Sequence, residues 1–190
     1  VINLGDDYAN IKALQEGEIE RLPAGGYVCI VLLAQVKNTK NGKPMLVLSL
    51  DIAEGKYAKF YVNVDNYSPR IFRTIHDKDG KVSPFFKGLL DNFEKSNSDL
   101  KITFPYFDEN QLRNKKIGVV FGEEEYLSNG EVKTSIKPVR TTTVENIRAG
   151  KFKVPELKKL NPADKPTSNG DIDAEFAEKE VDDIPLPWTV

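Results

Sequence analysis

Tyr57, Lys59 and Tyr61 alternate along a stretch that reads as a strand. With Ala58, Phe60, Val62 and Val64 turned to a core, these three project from the opposite face beside Asn63. An aromatic–cation–aromatic row gives unstacked bases flat surfaces and their phosphates a partner, with stacking contributing about 1–3 kcal/mol per base. The plainer reading is that tyrosines decorate many strands and that Lys59 is solvated. Other cations fall in groups. Lys37, Lys40 and Lys43 surround the first hairpin turn, Arg70 and Arg73 flank Phe72, and Lys133 and Lys137 share one face of a later strand. Each cation that neutralises a phosphate releases counterions, so binding through these groups must weaken with salt. Ordinary solubilising charge is the competing explanation.

Catalytic patterns are weaker. His76 lies in a polar HDKDG loop with no nucleophile motif beside it, and Cys29 falls inside a strand. Asp77-Lys78-Asp79-Gly80 lacks the remaining ligands of an EF-hand calcium loop. Glu54-Gly55-Lys56 and Glu131-Val132-Lys133 match the Glu-x-Lys half of a metal-dependent nuclease, which needs a further carboxylate, from Glu123 or Glu125, to share the metal. Neither Gly-rich phosphate-loop pattern occurs, so Gly122 is no such loop. The expectation is a non-enzymatic protein with no cofactor and no metal.

The elements that must position these residues are mostly strands. Gly25-Gly26 opens YVCIVLLAQVK, with Val28, Ile30, Leu32, Ala34 and Val36 read as one apolar face. Asn41-Gly42 marks a tight turn, and Leu46, Leu48, Leu50 and Ile52 repeat the alternation, predicting a hairpin over 26–53. The tyrosine-bearing strand follows. Ser83-Pro84 then starts a helix carrying Phe85, Phe86, Leu89, Leu90 and Phe93 at helical spacing, stopped by Ser96-Asn97-Ser98. Strands return at 115–126 and 131–140 around Asn129-Gly130. Thr142 with Glu145 signals a short capped helix closed by Gly150, and a further helix is expected around residues 7–16.

Three strands, a helix and two strands is the element order of an OB-like fold. Its five-stranded Greek-key barrel binds oligomers across strands 2–3 and the loops joining strands 1–2 and 4–5. The fold class expected is therefore mainly β, an OB-like barrel with flanking short helices and an acidic tail.

The chain has 190 residues, 27 Lys+Arg, 29 Asp+Glu, one His and one Cys, net charge −2. One Cys excludes an internal disulfide and a thiolate zinc site. Charge divides the chain near Leu160. Residues 161–190 hold eight acids against two lysines, net −6, which leaves +4 over residues 1–160. The domains expected are an N-terminal extension (1–21), a nucleic-acid-binding body (22–160) and an acidic linker and tail (161–190). The linker NPADKPTSNG carries Pro162, Pro166 and Gly170. Acidic ends are commonly disordered and solubilising, yet this one ends in an apolar cluster, Ile184, Leu186 and Trp188, the chain's only Trp. Such a tip suits a basic, apolar pocket on a partner protein or on the chain's own body. Asp6, Asp7, Glu16, Glu18 and Glu20 argue against a signal peptide in residues 1–22. The apolar run Tyr27–Val36 is about half the ~20 residues of a membrane helix, so a cytoplasmic location without membrane contact is expected.

Leu22-Pro23-Ala24-Gly25-Gly26-Tyr27-Val28, Leu50-Asp51-Ile52-Ala53-Glu54-Gly55, Pro84-Phe85-Phe86-Lys87-Gly88, Gly118-Val119-Val120-Phe121-Gly122-Glu123-Glu124-Glu125-Tyr126 and Val154-Pro155-Glu156-Leu157-Lys158-Lys159-Leu160 carry a resemblance. They resemble phage- and prophage-encoded single-stranded DNA-binding proteins of Gram-positive hosts, over roughly residues 20–160. Asp182-Asp183-Ile184-Pro185-Leu186-Pro187 is similar to the Asp-Asp-Ile-Pro-Phe tips with which bacterial single-stranded DNA-binding proteins recruit replication and repair enzymes. Here Leu186 replaces the usual Phe and the chain continues through Trp188 to Val190. The resemblance implies a single-stranded DNA-binding protein of phage replication or recombination, in the cytoplasm of a bacterial host. Residues 182–188 would engage its protein partners. Oligomeric state, and whether the barrel instead serves as a protein-interaction adaptor or host-factor inhibitor, stay open at the level of sequence.

Overall fold

The computed structural model describes residues 9, 21–62, 68–103 and 105–161. Five strands make one antiparallel sheet: β1 (Gly25–Asn38), β2 (Pro44–Ile52), β3 (Arg70–Thr74), β4 (Lys116–Ser128) and β5 (Glu131–Thr142), in the order β3-β2-β1-β4-β5. Helix α1 (Pro84–Ser96) separates β3 from β4, and α2 (Val144–Arg148) follows β5. The fold is mainly β, in the expected element order. No ladder joins β3 to β5 among the described residues, so the sheet is not closed into the expected barrel. Nearly all of the helix expected around 7–16, and the whole of the tail from residue 162, lie outside the described residues.

The face assigned to β1 needs correcting. Its register with β2 slips between Val31 and Leu33, so Leu32 is a bulge residue. A bulge inserts one residue and reverses the alternation beyond it. Cys29 and Val31 therefore face the core before it, and Ala34 after it, each opposite a buried residue of β2 (Ile52, Leu50 and Leu48). Val28 and Ile30 belong to the other face. Leu46, Leu48, Leu50 and Ile52 line the core as expected, joined by Leu89 and Phe93 of α1 and by Val119 and Phe121 of β4. Burying each such side chain contributes about 1.5–3 kcal/mol.

Turns follow their residue types, with one difference. Asn129 and Gly130 take φ of 52° and 78°, the two left-handed positions that suit a two-residue hairpin turn. The β1–β2 loop spans five residues instead, closed by Gly42 N–H to Thr39 O and Thr39 N–H to Lys43 O, both 2.8 Å. Helix α1 starts after Ser83, whose side chain makes no capping bond, and leaves Phe85 78% exposed on its outer side. Asn97 fastens the far end: its side-chain amide donates to Phe93 O and Lys116 O (2.8 Å each) and accepts from Lys116 N–H (3.0 Å). At α2 the cap is Thr143, one residue beyond Thr142, its hydroxyl accepting from Asn146 N–H at 3.2 Å.

On the outer face, Gly26, Gly118 and Gly122 let the segment after β5 lie directly on the sheet. A Cβ at these positions would stand 2.6 Å from the Phe152 ring, 2.5 Å from Thr143 O and 2.7 Å from Pro155, closer than side chains approach. The segment then pairs with β4 at Glu124–Lys158.

The strand expected at 57–64 is not formed. Residues 54–62 are turns and bends, and the third strand is Arg70–Thr74. Two causes are visible. Gly55 and Lys59 take φ of 83° and 60°, which no strand accommodates. Buried Asp51 accepts Tyr61 N–H at 3.0 Å and Val62 N–H at 3.3 Å, besides Ile52 N–H at 2.7 Å, and so folds the chain back. Residues 63–67 lie outside the description.

Glu54, in the same turn, is gripped by Arg148 of α2 (2.6 Å) and Lys116 of β4 (2.8 Å). The Arg148 hydrogen bond, then that of Lys116, lowers its carboxyl from 4.5 to about 2. A depressed carboxyl stabilises the fold fully above its unfolded value, and that contribution is lost as pH falls toward 2. The melting temperature of Glu54→Gln should accordingly lie below wild type at pH 6, the two converging between pH 4.5 and 2. A gap of unchanged size at pH 2.5 would count against this linkage.

Candidate nucleic-acid interface

The expected tyrosine row is not a surface. Tyr61 is 7% exposed, stacked on Phe121 at 6.3 Å and edge-on to Phe60 at 5.1 Å. Tyr57 packs edge-to-face on Tyr27 and Phe60, with the Lys56 ammonium 5.0 Å from its ring. Of the three, Lys59 alone is exposed. The turn set by Asp51 carries the aromatic rings into the core, where they gain more burial than on a face. Strand β2 offers no platform either, since Leu46 to Ile52 are buried on both faces.

What the structure assembles is a cleft between the two outer strands. Residues 70–73 of β3 and 138–141 of β5 line about 170 Å³, with no carboxylate among them. Phe72 is 52% exposed and Val139 50% exposed. Arg70, Arg73 and Arg140 make no ion pair among the described residues. Pairing with β2 sets Arg70 opposite Ser49 and Phe72 opposite Val47, one face of β3, while Arg73 lies opposite Leu46. On β5 the register slips between Val120 and Phe121, so Val139 is an extra residue between Pro138 and Arg140. An edge bulge bends its strand and re-aims side chains, and Pro138 sits where an outer strand tolerates a missing N–H. Guanidinium groups around an exposed ring can hold phosphates while the ring stacks on a base.

The remaining cations divide. Lys40 and Lys43 are exposed on the β1–β2 loop, whose end meets β3 through Ile75 N–H to Pro44 O at 3.1 Å; Lys37 precedes them on β1. Lys133 and Lys137 share a face of β5, as expected, but Lys137 is tied to Glu124 at 2.9 Å and Lys133 stands 3.9 Å from Glu131. Glu124 also takes Lys158 at 2.6 Å, and these ammonium groups, Lys158 first, lower its carboxyl. Of the cleft, the sequence flagged Arg70, Phe72 and Arg73, and missed Val139 and Arg140. Proline inside a strand pattern was the available signal, since it marks an edge or a bulge. For the nuclease pattern, Glu54 is engaged by Lys116 and Arg148, and Glu131 lies on the β4–β5 hairpin. Residues 182–188 lie outside the described residues.

The class defined by this geometry is a mainly β protein with five antiparallel strands in one open sheet. Residues 7–77 match a family described as "Protein of unknown function (DUF669)", a segment that contains β1, β2 and β3. No curated protein matches the chain. No helix among the described residues is long and apolar enough to cross a membrane.

Proposed function

We propose that this chain is a single-stranded DNA-binding protein that holds its ligand in the β3–β5 cleft. Phe72 stacks on a base, Arg70, Arg73 and Arg140 neutralise phosphates, and Lys40 and Lys43 extend the basic track along the β1–β2 loop. The observation that carries this reading is Phe72, half exposed on the face of β3 that also bears Arg70, in a cleft lined further by Arg73 and Arg140 and by no acid. The strand order supports it as well, being that of an OB-like Greek-key barrel opened between β3 and β5. On this reading the acidic tail, through Asp182 to Trp188, recruits replication or recombination proteins of a phage in its bacterial host. The chemistry is binding without catalysis.

Fluorescence anisotropy of a labelled oligo(dT) of about thirty nucleotides, at about 50 and 200 mM salt, tests it. Binding should weaken with log–log slope near −0.7 for each phosphate neutralised, so three such phosphates give about −2. Absence of binding at both salts, in the full chain and in a chain lacking residues 171–190, would overturn the proposal.

A further inference from the structure

β5 is an outer strand whose first seven residues, Glu131-Val132-Lys133-Thr134-Ser135-Ile136-Lys137, run between the Gly130 turn and Pro138. They lie beyond the stretch that faces β3 across the cleft, and Glu131 to Thr134 and Lys137 are exposed. A two-residue turn makes Ser128 and Glu131 a hydrogen-bonded pair, so residues 131, 133, 135 and 137 bond to β4. The N–H and C=O groups of Val132, Thr134 and Ile136 then point to the open edge. Position 138, the next in that series, is a proline that cannot donate. An open row of this kind is a template for another strand.

The seven residues are self-complementary. Antiparallel pairing about a two-fold axis through Thr134 sets Glu131 opposite the second copy's Lys137, Val132 opposite Ile136, Lys133 opposite Ser135, and Thr134 opposite itself. Charges match at both ends, and both boundaries, Gly130 and Pro138, coincide in the two copies. Val132 is 45% exposed and sits beside Leu127, 46% exposed, on the same face of the hairpin; pairing sets the second copy's Ile136, which also packs against its own core, next to Val132. A one-residue slip would lose the charge and apolar matches together.

We propose that the chain forms a two-fold dimer through the edge of β5, centred on Thr134, with the two five-stranded sheets continuous across it. Six main-chain hydrogen bonds join the copies, two at each of the three facing pairs. Such an isologous interface closes on itself and gives a dimer, not a filament. The Val139 positions of the two clefts then stand ten strand residues apart, roughly 33 Å.

Sedimentation equilibrium of the full chain between about 1 and 100 μM reads the assembly, with twice the 21.3 kDa chain mass expected at the upper end. Thr134→Pro removes an N–H that bonds nothing among the described residues, so it should leave circular dichroism unchanged and abolish the dimer. Glu131→Lys sets like charges opposite each other at both ends and should weaken association at least about tenfold; adding Lys137→Glu should restore it to within about threefold. A monomer at every concentration overturns the proposal, whether the edge stays open or is taken by the tail or another protein. A dimer indifferent to Thr134→Pro overturns it equally.

Discussion

Replacing Phe72 and Arg140 together by alanine is expected to weaken oligo(dT) binding by roughly 30- to 1,000-fold at low salt. Loss of one stacking partner costs about 1–3 kcal/mol, and removing one phosphate-neutralising cation should flatten the salt slope by about 0.7. The two come from opposite walls of the cleft, β3 and β5, so neither strand alone accounts for the effect. Both side chains are exposed and outside the core cluster, so the variant should melt within about 0.5 kcal/mol of wild type, as surface changes do. Unchanged affinity in this folded variant would move the binding surface away from the cleft. Tyr61→Ala is no substitute for this test, because that ring packs against Phe121 and its loss opens the core.

The second large effect is structural. Asp51→Ala should destabilise the protein by about 2–4 kcal/mol, judged from three main-chain N–H groups that lose a buried acceptor. Its carboxylate is 2% exposed and takes three main-chain N–H groups, of Ile52, Tyr61 and Val62. Alanine leaves the Tyr61 amide, at the base of the aromatic cluster, without that acceptor. Asparagine at the same position supplies one carbonyl oxygen, so Asp51→Asn should recover part of the loss. Urea unfolding of the three proteins measures it. A loss below about 1 kcal/mol for Asp51→Ala would mean that the turn is held by its aromatic packing instead. The motif Leu50-Asp51-Ile52-Ala53-Glu54-Gly55 thus has a physical account: an acid that folds the chain back, a second acid that ties the turn to β4 and α2, and a glycine that supplies positive φ.

Much of the architecture is legible in residue patterns. Alternation marked β2, β4 and β5, Asn129-Gly130 marked the turn joining β4 to β5, and Ser83-Pro84 with Leu89, Leu90 and Phe93 marked α1. These signals are local, set by side-chain periodicity and by the φ angles each residue tolerates. Two features escaped them. The Leu32 bulge reverses the alternation of β1, and a run apolar on both faces hides such a reversal because either parity reads equally well. The stretch around Tyr57 and Tyr61 has the alternation of a strand, yet a carboxylate six residues before Tyr57 holds it as a turn.

By itself, then, the sequence determined β1, β2, β4, β5, helix α1 and the split between a basic body and an acidic tail. Each depends on residues near in the chain. It placed the third strand at 57–64, where residues 57–62 form turns, and not at Arg70–Thr74. Only the tertiary structure decided which aromatic ring meets solvent. It buried Tyr61 against Phe121, left Phe72 half exposed, and brought Arg140 across from Arg70 and Arg73. That outcome depends on which strands end the sheet and how far apart they stand. Both are properties of long-range pairing, and no window of sequence around Phe72 contains them.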